Sequence, residues 1–548
     1  MKNYLLIILS LLIANGISAN TYYISPTGLD SNVGSFSKPF KTVQKGADMM
    51  KAGDTVFVRA GTYASLLYLS TAASEFNRAV FTNYPGERPI LDGEYNKPSG
   101  NISKTDPISG NACSSYPLIM VEGSYITFSG FEIIRSAGVG VSLANYGNNS
   151  LCHHNIVQNL YIHDCRNNGI WCYNASNLII QNNDITLTAN FASYARWTGP
   201  DWPSTLQAYG CKKLKILKNQ VHENWGEGIG AWNDDDVLID SNVVYDNSSG
   251  NIYLDNASNT TVSSNLIYNT RDPRFCVNTI PSDGINLADE PTVTSRGGNF
   301  NIWNNTILGC QNAIRWRDFQ GGSGMKNVVI AYNTIVNPSN GKPIEIESGN
   351  HSNVQIRNNI FVQENNFGLI SIANDNLTGF TLSHNLWSKE PKAIYKSVND
   401  VVADPKIAKT GLTTQGKLSR SYFELLATSP AINKGMPMAA VNIDMYKNIR
   451  DTEPDLGAFE FRFLTDMEGE EKVYKSLLLH LNLAQNELMV VGEVLANFKY
   501  EITSIEGKTL QAGDLTSQGI PIENLKSGLY IIKIKSDTGE WVKRFVKE

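Results

Sequence analysis

One residue type recurs along the middle of this chain in a fixed setting. An asparagine sits inside a short apolar stretch, as in "LIIQNNDI", at Asn159, Asn183, Asn219, Asn242, Asn265, Asn305, Asn333, Asn359 and Asn385. Successive intervals run from 23 to 28 residues, with two longer gaps of 36 and 40. Such a period is too short for a domain and matches one coil of a solenoid, three short strands joined by turns. The asparagines then stack from coil to coil, each satisfying the backbone of a turn and the side chain of the neighbour above. The longer gaps are loops inserted into single coils, and loops gathered on one face of a scaffold commonly carry function. The chain is therefore expected to be all-β, a parallel β-helix.

A second pattern, a short strand after a turn residue, opens each unit. It reads "GVSLAN" (140–145), "GIWCYN" (169–174), "TLQAYG" (205–210), "GIGAWN" (228–233), "NIYLDN" (251–256), "GINLAD" (284–289), "AIRWRD" (313–318), "PIEIES" (343–348) and "LISIAN" (369–374). Strand side chains alternate faces, so Ile170/Cys172, Ile229/Ala231, Ile252/Leu254 and Ile344/Ile346 point into the coil. The remaining positions stack into two outward columns. One is Ser142, Trp171, Gln207, Gly230, Tyr253, Asn286, Arg315, Glu345, Ser371. The other is Ala144, Tyr173, Tyr209, Trp232, Asp255, Ala288, Arg317, Glu347, Ala373.

A solvated face mixes its charges at random. Here an aromatic block (Trp171, Tyr173, Tyr209, Trp232, Tyr253) runs into a charged block (Asp255, Arg315, Arg317, Glu345, Glu347). That order suits a sugar chain, with rings stacking on apolar sugar faces and charges meeting carboxylates or sulfates. Asn286 and Glu345 join the rings as expected sugar contacts. Cross-coil packing explains the same residue types. The insertions at 187–204 and 270–283 precede strands of these columns and are expected to wall a groove, with Arg196, Trp197 and Arg274 as further contacts. The triplet Asp234, Asp235 and Asp236 sits in a turn, where aspartate bonds the local backbone.

The two ends of the chain read differently. "MKNYLLIILSLLIANGISA" has a basic start, an apolar run and small residues up to Ala19, the pattern of a secretory signal peptide over 1–19. Residues 20–100 hold a strand, a turn segment and a helix near 41–51 that covers the open end of the solenoid. Residues 400–461 are irregular and are expected to close the other end. A linker follows at 462–471, and 472–548 alternates strands and turns as a small β-sandwich. The formal net charge is −6 with no basic patch, which argues against a nucleic-acid partner. No later run is long and apolar enough for a membrane span. The seven cysteines lack a C-x-x-C pair, so a zinc site is not expected. Cys152 and Cys165 are candidates for a bridge, and buried thiols are the alternative. A monomer is expected.

Three stretches carry a resemblance. "YYISPTGLDSN…KPFKTVQKGADMMKAGDTVFVRAGTY", the coils of 119–390 and "SPAIN…DLGAFEF" resemble secreted right-handed parallel β-helix proteins of the pectate-lyase superfamily, over most of 20–461. The fold this implies hosts lyases, hydrolases, epimerases and non-enzymes alike. The last segment, with "LNLAQNE", "YEITSIEGKTLQAGDL" and "VKRFVKE", looks like a type IX secretion sorting domain of Bacteroidetes. Asn482 matches its opening motif, while Leu483 replaces the usual proline. This resemblance implies export to the cell surface or exterior through the type IX machinery.

The family likeness also suggests chemistry. Eliminative cleavage of a uronic-acid chain needs a cation on the carboxylate and a base for the neighbouring proton. In the related calcium-dependent enzymes, acids of adjacent coils hold Ca²⁺ and a Lys or Arg is the base. By that resemblance Glu227, Asp255 and Asp283 are candidate Ca²⁺ ligands, although the denser "DDG.D" motif is replaced here by "NSSGNIYLD". No Lys lies in the columns, so the base would be Arg317 or Arg315, and an anionic polysaccharide the substrate. Hydrolysis is the alternative, through paired carboxyls: Asp255 with Glu227 or Asp283, or Glu345 or Glu347 with Asp318. A non-catalytic glycan-binding β-helix is the third reading. The expectation is a polysaccharide lyase, with Arg317, Arg315, Asp255 and Glu347 as catalytic candidates.

Overall fold

The computed structural model describes residues 19–100, 102–105, 112–146, 151–192, 203–291, 297–319, 321, 323–336 and 341–462, with 478–482, 487–491 and most of 499–547 near the C-terminus. Residues 1–18, where a signal peptide is expected, residues 193–202 of the insertion, with Arg196 and Trp197, and most of the linker lie outside the described residues. The chain separates into two compact units, Met1–Phe461 and Arg462–Glu548.

The first unit is a parallel β-helix. Among the described residues its strands form two 13-stranded sheets and one 11-stranded sheet, each coil adding a strand to each in turn. Neighbours within these three sheets are parallel, as a chain that always winds the same way must be, and right-handed winding is the rule for such crossovers; one antiparallel pair, Ile102–Thr105 with Ala112–Ser114, stands outside them. Alternation within the strands fills the bore. Ile170, Cys172, Ile229, Ile252, Leu254 and Ile344 are fully buried there.

The asparagine ladder forms at one corner. From Asn183 through Asn219, Asn242, Asn265, Asn305, Asn333 and Asn359 to Asn385, each backbone N–H and each Nδ2 donates to the next Oδ1 at 2.8 to 3.1 Å. Each Nδ2 also donates to a carbonyl of the preceding coil, as Asn265 does to Ile239 at 2.9 Å. The residue before each ladder position turns the corner at positive φ, from Asn182 and Lys218 to Tyr332 and His384. Asn159 is not a rung. It occupies the turning position at φ 56°, and its neighbour Leu160 donates its N–H to Asn183 instead. The repeat is one residue out of step at that first coil.

The N-terminal end is covered as expected, by a helix over Val43–Met49 capped by Thr42, whose hydroxyl accepts from Lys45 N–H. Gly46 allows it to sit close: a Cβ there would lie 2.4 Å from Ile24 Cδ1. The far end is closed by Trp387 and Tyr395, both buried. The segment at 405–461 does something other than the closure expected of it. It runs back along the flank of the solenoid, and its Leu418, Phe423, Leu425 and Phe459 cover Tyr245, Tyr268, Leu308 and Ile360. Arg420 donates to Ser241 O at 3.1 Å, and Lys447 pairs with Asp240 at 2.7 Å. Those outward positions of a 13-stranded sheet are apolar, so they needed a cover.

All seven cysteines are buried thiols, with no disulfide among them. The Cys152–Cys165 bridge is therefore not formed: Cys152 Sγ turns to Val121 O at 3.3 Å and Cys165 Sγ to His163 O. In the second unit the described strands make two antiparallel sheets, of three and four strands, around buried Ile502, Ile520, Ile532 and Ile534.

Candidate active site

The 11-stranded sheet carries both outward columns. Ser142, Trp171, Gln207, Gly230, Tyr253, Asn286, Arg315, Glu345 and Ser371 are successive register partners. The second column runs Ala144, Tyr173, Tyr209, Trp232, Asp255, Ala288, Arg317. It stops there because the next strand, Ile344–Ile346, ends before Glu347. Gly230 leaves a gap in the first column. A Cβ at that position would meet Ser204 Oγ at 2.2 Å and come within 3.5 Å of Glu227 Oε2, so the missing side chain makes room for both.

The rings of the stripe stack on one another. Tyr173 lies 5.4 Å from Tyr209 with planes 9° apart, and 5.5 Å from Tyr146 at 23°. Trp171 is near-parallel to Tyr173 at 6.2 Å, and Trp232 meets Tyr209 edge-on at 4.7 Å. At these separations parallel rings are offset-stacked. Tyr173 stacks on both Tyr146 and Tyr209, so its edge and hydroxyl are what it offers a ligand.

Beyond Trp232 the face opens into a cleft of about 560 Å³, lined by Glu227, Tyr253, Asp283, Glu290, Arg315, Arg317 and Phe319 and by the loop around 277–282. Glu227 accepts from Ser204 Oγ at 2.5 Å. Burial, with the nearby charge of Glu290, pushes its carboxyl up to about 7 against the pull of Ser204 and Arg317. Asp255 is pushed up to about 8, by burial first and then by Glu290 and Glu227. Glu290 is clamped between them: its N–H donates to Asp255 Oδ1 at 3.1 Å, and its Oε1 accepts from Tyr253 hydroxyl at 2.6 Å. Three carboxyls therefore share one poorly solvated site, the arrangement that keeps protons on acids near neutrality.

The two arginines differ. Arg315 sits among three carboxylates, 2.7 Å from Glu347 and 3.5 Å from both Asp283 and Glu345. Its charge is neutralised in place, so it is a poor candidate for base or for substrate anion. Arg317 makes no ion pair among the described residues and lies 4.8 Å over the Phe319 ring. Glu345 also holds Lys342 at 3.0 Å, and Glu347 accepts the Asp318 N–H at 3.1 Å. Asp318 accepts from Gly321 N–H and Ser323 Oγ. Glu345, Glu347 and Asp318 thus act as a brace for the coil end. Asn286 is buried at 4 % exposure, too deep for a groove contact. Arg274 turns away to Asp272 at 2.7 Å and Glu223 at 3.4 Å.

Of the expected Ca²⁺ trio, Glu227 and Asp283 both line the cleft, and Asp283 accepts Asn312 N–H at 2.9 Å and lies 3.5 Å from Arg315. Among the described residues no three His, Cys, Asp or Glu side chains are grouped to hold a metal ion. Asp234 is buried and accepts Cys211 N–H at 2.5 Å, while Asp235, at the start of the strand Asp235–Asp240, accepts from Ser258 and Asn259, so these two aspartates bond the neighbouring coils and not only the local turn backbone expected of them. Glu290 escaped the sequence reading. It lies one residue past the "GINLAD" frame, in the turn, where strand alternation gives no orientation. The acid pair "DE" after that strand was its only signal.

Residues 22–251 match the family described as Pel9A-like, right handed beta helix region, and residues 203–301 match the right handed beta helix region. Residues 482–548 match the secretion system C-terminal sorting domain, which marks the protein for export to the cell surface or extracellular space. No helix among the described residues is long and apolar enough to cross a membrane. Among curated proteins, the chain is 35% identical over 77 residues to the uncharacterized protein YwoF of Bacillus subtilis and 32% identical over 80 residues to the pectate lyase PEL9 of Emericella nidulans. Each match covers 14% of this chain, and 16% and 20% of those proteins respectively, so the chain spans a fifth or less of their length. Among solved structures, XylC in complex with xylose is similar with a TM-score of 0.56 at 14% identity, covering 81% of this chain and 98% of that one. Pectate lyase Pel9A is similar with a TM-score of 0.45 at 18% identity, covering 82% and 98%. At these identities the likeness is one of fold.

Proposed function

For an exported chain that carries a Pel9A-like right-handed β-helix over residues 22–251 and a C-terminal sorting domain, we propose that the protein is an enzyme that breaks glycosidic bonds of a polysaccharide laid along its 11-stranded sheet. The carboxyl cluster Glu227, Asp255 and Glu290, at the end of the aromatic stripe, carries this reading. Hydrolysis needs a carboxylic acid to protonate the leaving oxygen and a carboxylate to act from the other side, directly or through water. Glu227 lines the cleft and keeps its proton up to about pH 7, which suits the acid. Glu290, oriented by the Tyr253 hydroxyl, suits the carboxylate. Asp255 holds the Glu290 backbone, and burial with the charge of Glu290 keeps Glu227 protonated.

Elimination is the second reading. Arg317, without a carboxylate partner among the described residues, and the short likeness to a pectate lyase favour it. The products separate the two. Incubation with a panel of plant and algal polysaccharides is expected to release new reducing ends with no ultraviolet-absorbing product. Absorbance from an unsaturated uronide would replace hydrolysis with elimination, and absence of product from every polymer would sink both. Activity is expected to survive EDTA, because Asp283 is already held by Arg315 and Asn312. Turnover is expected to fall as pH rises through about 7, where Glu227 loses its proton.

A further inference from the structure

Two arginines among the outward residues suggested an anionic polymer, and the cleft's charges point elsewhere. Its lining acids are Glu227, Asp283 and Glu290, with Asp255 behind them. Its lining cations are Arg315 and Arg317. Arg315 is already matched by Glu347, Asp283 and Glu345, and the nearby Lys342 by Glu345. That leaves one arginine, lying over Phe319, against the Glu227–Asp255–Glu290 cluster. At the other end of the face Glu122 accepts from Tyr68 hydroxyl at 2.5 Å, so acid rather than base flanks the stripe there too. The rest of the lining includes Ser248, Ser249, Asn278, Ser282 and Gln311. These are neutral donors and acceptors, matched to hydroxyls. The rings of the stripe are equally neutral.

We infer that this cleft takes an uncharged sugar chain and turns away polymers bearing a uronate or sulfate on each residue. The inference rests on the cleft being the enzyme's working site. Each anionic repeat drawn into the cleft would find Arg315 already matched by its three acids and Arg317 facing the acid cluster, so its charge would stay uncompensated in a poorly solvated space. A neutral chain meets no such penalty and loses only hydroxyl hydration, which the neutral lining replaces.

The test holds the backbone constant and varies its charge. The full mature chain is run by affinity electrophoresis in gels containing polygalacturonate or its fully methyl-esterified form. Xylan, glucomannan and mixed-linkage β-glucan serve as further neutral chains, and alginate as a further anionic one. Retention at least tenfold stronger by one or more neutral chains than by the acid forms is expected. Stronger retention by polygalacturonate or alginate, weakened by salt, would overturn the inference, and so would retention by no neutral chain. The double variant Glu345→Gln/Glu347→Gln, with folding checked by circular dichroism, releases Arg315 from two of its three acids. It is expected to gain retention by polygalacturonate about tenfold, and no gain would count against the neutralised arginine as the cause. Retention by a neutral chain with no product formed leaves the substrate class standing and sinks the cleavage reading. Cleavage of polygalacturonate alone does the reverse.

Discussion

One corner of the coils and their outward face are made by the same stacking, and they obey opposite rules. In the corner a single residue type repeats from Asn183 to Asn385, and every rung both donates and accepts. On the outward face each coil brings something different: Trp171, Gln207, Gly230, Tyr253, Asn286, Arg315. There buried polar atoms such as Trp232 Nε1 and Asn286 Oδ1 have no hydrogen-bond partner among the described residues, and two carboxyls are held far from their ordinary protonation. Repetition stabilises the solenoid. Departure from repetition costs stability locally and creates a site, as strained and desolvated groups commonly do.

The contrast can be broken by substitution. The largest effect is expected from Glu227→Gln: turnover on the identified polymer falls about 10²- to 10⁴-fold, the range for loss of a general acid, while the melting temperature near neutral pH does not fall. Unchanged turnover would put the chemistry somewhere other than the varied face. Next comes Asn265→Ala. It strands Ile239 O and the Asn242 donors in the interior and leaves Asn305 Oδ1 with the backbone N–H of residue 265 alone. Unfolding is expected to become easier by about 3 kcal/mol, with turnover per folded molecule intact.

Third is the pH dependence of stability. Glu227 and Asp255 have raised values, so the folded chain keeps protons the unfolded chain releases. That contribution is fully present below their ordinary values near 4, and it is lost as pH rises through about 7 and about 8. Chemical denaturation at pH 6 and pH 9 should therefore show Glu227→Gln losing less stability than the parent chain, by about 1.4 kcal/mol. Equal losses would mean that Glu227 is better solvated than its surroundings suggest. The smallest effect is expected from Tyr209→Leu, about 1 kcal/mol of stability for one interrupted stack. A collapse of polymer affinity in that variant would instead make the ring a sugar platform.

Much of this was legible before any coordinates. Period two within strands and a coil length near 25 place Trp171, Tyr253 and Arg315 in one column, because a strand side chain has only two faces to choose from. What periodicity cannot supply is where a long side chain goes after it leaves the sheet. Arg315 and Arg317 look alike in sequence, yet one is ion-paired among acids and the other lies over Phe319. Glu290 lies in a turn, where alternation lapses. Asn159 was misplaced by one residue because both the turning position and the rung favour asparagine, as the pair Asn182–Asn183 shows. The flanking segment at 405–461 has no period, so the surface it covers had to be seen.

That segment changes how the molecule should come apart. A solenoid whose coils touch only their neighbours can melt from either end, one coil at a time. Here Arg420 reaches back to Ser241 and Lys447 to Asp240, spans of 179 and 207 residues. These long loops tie the middle coils to the end of the chain, so the array should lose its structure as one cooperative body. They also mean that folding is complete only after the last part of the β-helix unit has arrived.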